Sequence, residues 1–351
     1  MKIIMNAWYV AAWPHEVASG AILSRTVCNL PMVFFRDGDG QPAALEDRCP
    51  HRQMPLSLGI PEKDHTIRCA YHGMQFDGTG RCVEIPGQDH IPDGARVPTY
   101  PCVERHGYVW VWPGATDRAD PALIPDIFER NDHPEWSAVG GTIHLRANYA
   151  MLADNLIDTT HETYVHAGSL GDDNIQANPI QVTGDDQHVH VTRWILDHDA
   201  APLWREALNQ DGNVDRWQLI EFRPPASTVL DVGVAPAGTG AQEGHRSHGA
   251  EGCNLNFGTP ETEHTTWYFW SFARRFRRDE PGYDEVLQRK FADVFAQDSG
   301  AIEGAYSVMR RNPGRPVVNL RNDAGTIRAR RLVEAMAEAE EAGTRPAADH
   351  G

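Results

Sequence analysis

Two short pairs of cysteine and histidine constrain this chain more than any other feature. Cys49 and His51 stand in the run CPHR, and Cys69 and His72 in CAYHG, with 17 residues between the pairs. Thiolates and imidazoles offered together are metal ligands, suited to zinc or to an iron–sulfur cluster. Finger-type zinc sites commonly use two cysteine pairs, or one cysteine pair and one histidine pair. Here each pair mixes one Cys with one His. That mixture fits a cluster of two distinguishable irons, one held by Cys49 and Cys69 and the other by His51 and His72. Imidazoles in place of two thiolates remove negative charge and raise the reduction potential of a centre that passes single electrons. A structural zinc ribbon is the competing reading. Colour separates them, since the cluster is brown-red and zinc is colourless.

The rest of the chain must be large enough to use such a centre. At 351 residues it suggests about two domains and can bury a sizeable core without staples. The net charge of −17, from 49 acidic and 32 basic residues, argues against a nucleic-acid backbone or an anionic membrane as partner. One basic run, ARRFRR at 273–278, reads as a solvated strand end or turn; a docking patch for an acidic electron donor is the alternative. Beyond Cys49 and Cys69, the cysteines Cys28, Cys82, Cys102 and Cys253 show no tight pairing and read as small buried hydrophobes. That usage favours a reducing compartment. The N-terminal MKIIMNAWYVAAWPHE resembles a signal peptide only weakly, with Asn6 interrupting it. No run approaches the roughly 18 apolar residues of a membrane span. A cytoplasmic location is the expectation.

Along the chain, residues 1–118 carry the signals of an all-β domain. NLPMVFFRDGDGQPAALED reads as a hairpin turning at Asp37-Gly38-Asp39-Gly40, and GYVWVWPG as a strand buried on both faces. The polar, proline-rich ATDRADPALIPD marks the boundary, and residues 119–343 form a second domain. It opens with a helix over 149–168, on which Leu152, Leu156, Ile157 and Thr160 recur at helical spacing. Strands are predicted in HVHVTRWIL, RWQLIEF, STVLDVGVAP, CNLNFGTP and TTWYFWSFARRF, with a glycine-rich loop at 238–252. A long helix follows in YDEVLQRKFADVFAQDSGAIEGAYSVMRR and a last one in RARRLVEAMAEAEEAG. Residues 344–351 read as a disordered tail. The fold class is α+β.

The first helix of the second domain contains Asn155, Asp158, His161 and His166. Asp158 and His161, three apart, are predicted to share a helix face, with His166 at the helix end where its ring can turn back. Two neutral imidazoles aimed at one point suit Fe(II), and a carboxylate completing the set leaves positions open for O2 and substrate. Surface or core histidines are the alternative. Spacing does not choose the third ligand, because Asp293, Asp298 and Glu303 all lie on the long second helix.

CPHR followed by C-x-x-HG resembles the Rieske [2Fe–2S] signature. One departure is Met74, where many Rieske oxygenases carry Trp; it reads as packing. The whole chain resembles the oxygenase component of the Rieske non-heme iron oxygenases, and within them the vanillate O-demethylase group. The likeness runs from NAWYVAAWP at 6–14 through DNLIDTTHETYVHA, DVGVAPAGTG and TPETEHTTWYFWSFAR to NDAGTIRARRLVE at 322–334. The resemblance implies a Rieske domain followed by a helix-grip catalytic domain with an antiparallel sheet. It picks Asp298 as the third iron ligand beside His161 and His166. It implies a homotrimer in which Asp158 bridges His161 to His72 of the partner subunit, and gives Asn155 an orienting role; helix-face packing is the plain alternative for both.

With no G-x-G-x-x-G after a strand and no flavin motif, the chain is expected to draw NAD(P)H electrons through a separate flavin and iron–sulfur reductase. The implied reaction hydroxylates the methyl carbon of an aryl methyl ether such as vanillate with O2, and the hemiacetal collapses to a phenol and formaldehyde. Other substituents, such as an N-methyl or ring methyl group or a sulfonated or herbicide-like aromatic, are the runner-up. Asn256 is the polar candidate for gripping the small aromatic substrate, against a sheet amide facing away. TTWYFWSFA reads as core. A Rieske electron carrier without catalysis and a zinc-stabilised binding module are the competing classes. The second histidine pair and the extra domain argue against the first of these.

Overall fold

The computed structural model describes residues 2–171 and 173–343; the predicted tail at 344–351 lies outside them. The described residues divide into two compact units, Ile3–Asp126 with Thr259–Thr262, and Ile127–Gly258 with Lys2 and Glu263–Gly343.

The first unit is built of short antiparallel strands: β1 (Tyr9–Ala12), β2 (Leu23–Val27), β3 (Leu30–Arg36), β4 (Pro42–Glu46), β5 (Ile60–Pro61), β6 (Ile67–Arg68), β7 (Gln75–Phe76), β8 (Cys82–Glu84), β9 (Thr99–Tyr100), β10 (Cys102–Arg105) and β11 (Tyr108–Val111). They form sheets in the orders β1-β11-β10, β2-β3-β4-β9 and β5-β6-β7-β8. The hairpin at Asp37–Gly40 joins β3 and β4, with Asp37 Oδ1 accepting from the backbone of Asp39 and Gln41. All four residues of β11 are buried, as a strand apolar on both sides requires. The distant segment Thr259–Thr262 joins this unit because Pro260 and Glu261 accept the backbone N–H groups of Cys28 and Asn29, both at positive φ.

The second unit is one seven-stranded antiparallel sheet with helices. Its elements are β12 (Ser137–Leu145), α1 (Tyr149–Ile157), α2 (Glu162–Val165), α3 (Asn174–Ala177), β13 (Gln181–Gly184), β14 (Val189–His198), α4 (Pro202–Leu208), β15 (Val214–Arg223), β16 (Ser227–Pro236), β17 (Ala250–Pro260), β18 (Thr266–Arg274), α5 (Tyr283–Arg311) and α6 (Ala324–Glu341). The strand order is β12-β18-β17-β16-β15-β14-β13. The predicted strands β14 to β18 and the long helix α5 form where their patterns place them. β12 was not predicted, since Gly140 and Gly141 interrupt its pattern. Gly141 is there because the Trp270 indole lies 3.0–3.2 Å from where a Cβ would stand.

One prediction is corrected. The helix expected over 149–168 stops at Ile157, and Asp158 adopts extended angles (φ −105°, ψ 92°). A 3-10 turn at Thr159–His161 and the short α2 follow. Asp and Thr side chains compete with the helical ladder for backbone groups. Here Asp158 Oδ1 accepts from Thr160 N at 2.9 Å and opens the new turn. Asp158 and His161 therefore do not share a regular helix face. The run 273–278 is also not solvated throughout. Arg274 is buried under the start of α5, paired with Asp284 at 2.8 Å and lying over the Tyr283 ring, and Phe276 is buried beside it.

α5 lies along one face of the sheet through aromatic contacts: Phe272 with Phe291 at 4.1 Å, Tyr268 with Phe295 at 5.6 Å and Trp270 with Phe295 at 5.0 Å between ring centroids. The aromatic β18 is core, as its pattern suggests. Gly252 on β17 makes room for the Phe272 ring, whose Cζ lies 2.3 Å from where a Cβ would stand. The ring cannot retreat, being stacked on Phe291. Gly252→Ala is expected to cost about 1–3 kcal/mol by overpacking, read as a lower denaturation midpoint; an unchanged midpoint would show that α5 is not pinned through this ring.

Candidate metal centres

In the first unit the four predicted ligands sort by type. Cys49 and Cys69 are buried and His51 and His72 are exposed. The two imidazole rings lie 4.5 Å apart. The two thiols lie within hydrogen-bond reach of each other, and burial, the largest influence, pushes the Cys49 thiol up.

The loops that carry these ligands are the same turn built twice. Cys49 N donates to Met54 O at 2.8 Å and Gln53 N to Cys49 O at 2.9 Å. Likewise Cys69 N donates to Met74 O at 2.8 Å and Gly73 N to Cys69 O at 3.0 Å. Gln53 and Gly73 both take positive φ to close them. Buried free thiols on one side and exposed imidazoles on the other fit a two-iron cluster with unlike ends. Met74 is buried in the core beneath these loops, as packing requires.

In the second unit the chain brings His161, His166 and Asp298 together, with ligand atoms all within 4.8 Å of one another. Of the three acids that spacing left open on α5, Asp298 is the one that meets the histidines. Its Oδ1 lies 3.3 Å from His161 Nε2 and 3.2 Å from His166 Nε2. Glu303 instead pairs with Arg146.

The other ring nitrogens fix the tautomers. His161 Nδ1 donates to the Asp158 backbone carbonyl at 2.6 Å, and His166 Nδ1 donates to Gln297 Oε1 at 2.9 Å. A carbonyl can only accept, so each Nδ1 keeps its proton and each Nε2 faces the same point: protonated, it bonds Asp298 Oδ1, and deprotonated, it would offer a lone pair to a metal there. Burial favours a neutral carboxyl at Asp298, but the bonds and charges of the two histidines outweigh it and hold the group ionised, down to about 2. Burial likewise opposes charge on His161 and His166, and Asp298 outweighs it to raise both. Two nitrogens and one anionic oxygen on one side form the donor set of a facial triad for Fe(II).

Asn155 Nδ2 donates to Asp298 Oδ1 at 3.2 Å, while its own Oδ1 is buried without a partner. Asp158 touches His161 through its backbone carbonyl, and its carboxylate caps the following turn.

Asn256 is wholly buried on the α5 side of the sheet. Its Oδ1 accepts from the Tyr268 hydroxyl at 2.7 Å, and its Nδ2 has no partner. Thr228 stands opposite it in register and Asn254 two residues away. Thr228 Oγ1 and Asn254 Oδ1 are also buried and unpartnered. Buried polar atoms are normally paired, so three on one face mark a place built to receive hydrogen-bonding groups. A surface cleft of about 770 Å³ along α5, lined by Arg146, Glu303, Tyr306 and Arg310, includes none of these residues.

Several site residues were not singled out from the sequence: Gln297, Thr228, Asn254, and the buried Glu162, Arg193, Arg216 and Gln218. A signal existed for the strand residues. In RWQLIEF, Arg216 and Gln218 precede Ile220 and Phe222 on one face of the strand, the helix-facing side, where an all-apolar pattern is the norm.

Residues 145–339 match the family model of the vanillate O-demethylase oxygenase C-terminal domain, and residues 7–101 that of the Rieske [2Fe–2S] domain. The iron–sulfur subunit of a toluene-4-sulfonate monooxygenase system from Comamonas testosteroni is 40% identical over 98% of this chain and 99% of its own. A vanillate O-demethylase oxygenase subunit from a Pseudomonas species (strain HR199) is 39% identical over 96% and 95%. The crystal structure of dicamba monooxygenase bound to dicamba superposes with a TM-score of 0.89 at 33% identity, covering 97% of this chain and 100% of that one.

Asp298→Ala is expected to abolish mononuclear iron binding while the visible spectrum of the cluster persists. Gln297→Leu, which removes only the partner of His166, should weaken iron binding about 10- to 100-fold. Metal analysis after equilibrium dialysis checks both; full iron content in Asp298→Ala would refute the ligand set.

Proposed function

This chain belongs to the Rieske oxygenases of the vanillate O-demethylase group, and from that premise we propose that it removes the methyl group of an aryl methyl ether, releasing formaldehyde and a phenol. It is a monooxygenase component acting on aromatic substrates, with a Rieske [2Fe–2S] cluster and a mononuclear non-heme iron as cofactors. In our reading Cys49, Cys69, His51 and His72 hold the cluster and His161, His166 and Asp298 the iron. When bound, the cluster passes single electrons and the iron supplies O2 activation.

The observation that carries the proposal is the set of unpartnered buried polar atoms at Thr228, Asn254 and Asn256. They offer both donors and acceptors on the sheet face that α5, the helix bearing Asp298, covers. Such a face can orient an aromatic ring by its hydroxyl and acid groups, leaving the methoxy carbon to face the ligand triad, and its apolar neighbours exclude water. A phenolic acid needs an acceptor as well as donors, and the carbonyl of Asn254 supplies one.

A second reading has its own support. The toluene-4-sulfonate relative, at 40% identity, points to oxygenation of a toluene whose anionic substituent lies across the ring from the methyl group. A sulfonate has only acceptors, so it would leave the Asn254 carbonyl unanswered.

The same reading assigns a homotrimer in which the Asp158 carboxylate links His161 to His72 of the partner subunit, with Asn155 orienting Asp298. It assigns a separate flavin and iron–sulfur reductase delivering electrons from NAD(P)H, with O2 as co-substrate. None of the six cysteines forms a disulfide, which is in keeping with a reducing, cytoplasmic setting. Among the described residues no helix is long and apolar enough to cross a membrane.

Turnover of the iron-loaded protein with a surrogate reductase, NADH and O2 tests this reading. Vanillate should yield formaldehyde and the matching phenol in equal amounts. Hydroxylated toluene-4-sulfonate without formaldehyde from any methoxybenzoate would overturn it in favour of the second reading. Asn256→Leu should raise KM about 10- to 100-fold by removing one buried hydrogen bond to the substrate; an unchanged KM would exclude Asn256 from the substrate face.

A further inference from the structure

The segment that carries both histidines has little regular structure of its own. α1 ends at Ile157, a single 3-10 turn holds Thr159–His161, and α2 is four residues long. A segment this irregular cannot aim two imidazoles by its own backbone ladder. What fixes it comes from the sheet, and it is charged. Arg193 on β14 donates through Nη1 to Thr159 Oγ1 at 2.8 Å and through Nη2 to Thr160 Oγ1 at 2.9 Å. Arg216 on β15 pairs through Nη2 with Glu162 Oε2 at 2.7 Å and donates through Nη1 to the Leu170 carbonyl at 3.1 Å. Gln218, two residues along β15, donates to Glu162 Oε1 at 2.9 Å and accepts from Thr159 Oγ1 at 2.8 Å and Arg193 Nη1 at 3.0 Å. Asn322, just before α6, donates to Thr160 Oγ1 at 2.9 Å.

Arg193, Arg216 and Gln218 are each no more than 2% exposed, and Glu162 is 8% exposed. Burying two guanidiniums and a carboxylate is a poor way to gain stability, because apolar side chains of the same volume generally serve as well. Such groups are best explained by what they specify. Apart from the Arg193–Gln218 bond between the strands, the hydrogen bonds described above fall on Thr159, Thr160 and Glu162, which flank His161, or on Leu170, just beyond His166.

We infer that Arg193, Arg216 and Gln218 are positioning residues for the mononuclear iron: through Thr159, Thr160 and Glu162 they clamp the broken segment Asp158–His166 to the sheet, so that His161 and His166 converge on Asp298. This rests on the reading of that triad as the iron ligands. The clamp works on geometry. The bonds described go to the residues beside the ligands, and through them each of the three constrains the segment that carries the histidines.

The test measures Fe(II) affinity by equilibrium binding to protein depleted of mononuclear iron with its cluster retained. The EPR signal of the Fe(II)–nitric oxide adduct then reports ligand geometry. Arg193→Met keeps the volume and removes both threonine contacts. It should raise the Fe(II) Kd about 10-fold or more and broaden the nitrosyl signal into several species, with the reduced-cluster EPR unchanged. Thr160→Val, a milder change that decides the matter if Arg193→Met does not fold, should shift both readouts in the same direction by less. Val333→Ala, a cavity under α6 away from the clamp, should lower the denaturation midpoint without moving either readout. An unchanged Kd and nitrosyl signal in the clamp variants would overturn the inference. So would an equal shift in Val333→Ala, which would reduce the effect to lost stability. If the wild type shows no Fe(II) binding that His161→Ala abolishes, the triad reading fails first and the clamp with it.

Discussion

Asp298 sits at 4% exposure on α5 with two imidazole nitrogens and one amide nitrogen around a single oxygen. A buried carboxylate survives only if its charge is answered, and here His161, His166 and Asn155 answer it. The arrangement requires α5 to run across the sheet at a fixed height, which Phe291 and Phe295 secure against β18. It also requires the histidine segment to leave helical geometry. A continuous helix from Tyr149 would carry the two rings on rigid helical spacing. The break at Asp158 releases them, and the sheet-borne guanidiniums hold them again.

The first unit solves a related problem by duplication. Two loops with the same hydrogen-bond closure each present one thiol inward and one imidazole outward. The imidazoles are the exposed ones, so in the proposed ligand set the accessible end of the cluster would be the histidine end. An electron donor or acceptor need not penetrate the core to reach it. The two units thus use opposite devices, since the cluster ligands are aimed by local turns and the triad by distant residues.

That contrast explains what was legible in the sequence. The convergence of the four proposed cluster ligands could be read because their turns are local: C-x-H and C-x-x-H, with Gly73 at the positive φ, carry nearly all the geometry. The strands β14 to β18 and helix α5 could be read from their periodicity. The histidine pair was visible, but its surroundings were misjudged. Leu152, Leu156 and Ile157 continue a helical pattern toward His161, and nothing in that pattern registers that Asp158 and Thr160 prefer each other to the ladder. The choice among Asp293, Asp298 and Glu303 was invisible to spacing because it depends on how α5 rotates over the sheet. Gln297, Arg193 and Gln218 were missed for the same reason, as their partners lie more than 20 residues away along the chain. β12 was hidden by Gly140 and Gly141, the second of which leaves room for Trp270.

The central claim is that one chain holds two separate iron centres in two ligand sets of different kinds. Anomalous diffraction at the iron edge, from crystals of the iron-loaded protein, tests it most directly. The account predicts density for a cluster between Cys49, Cys69, His51 and His72, and one further peak among His161, His166 and Asp298. A cluster peak alone, or a second peak elsewhere such as the cleft beside Arg146 and Glu303, would contradict it.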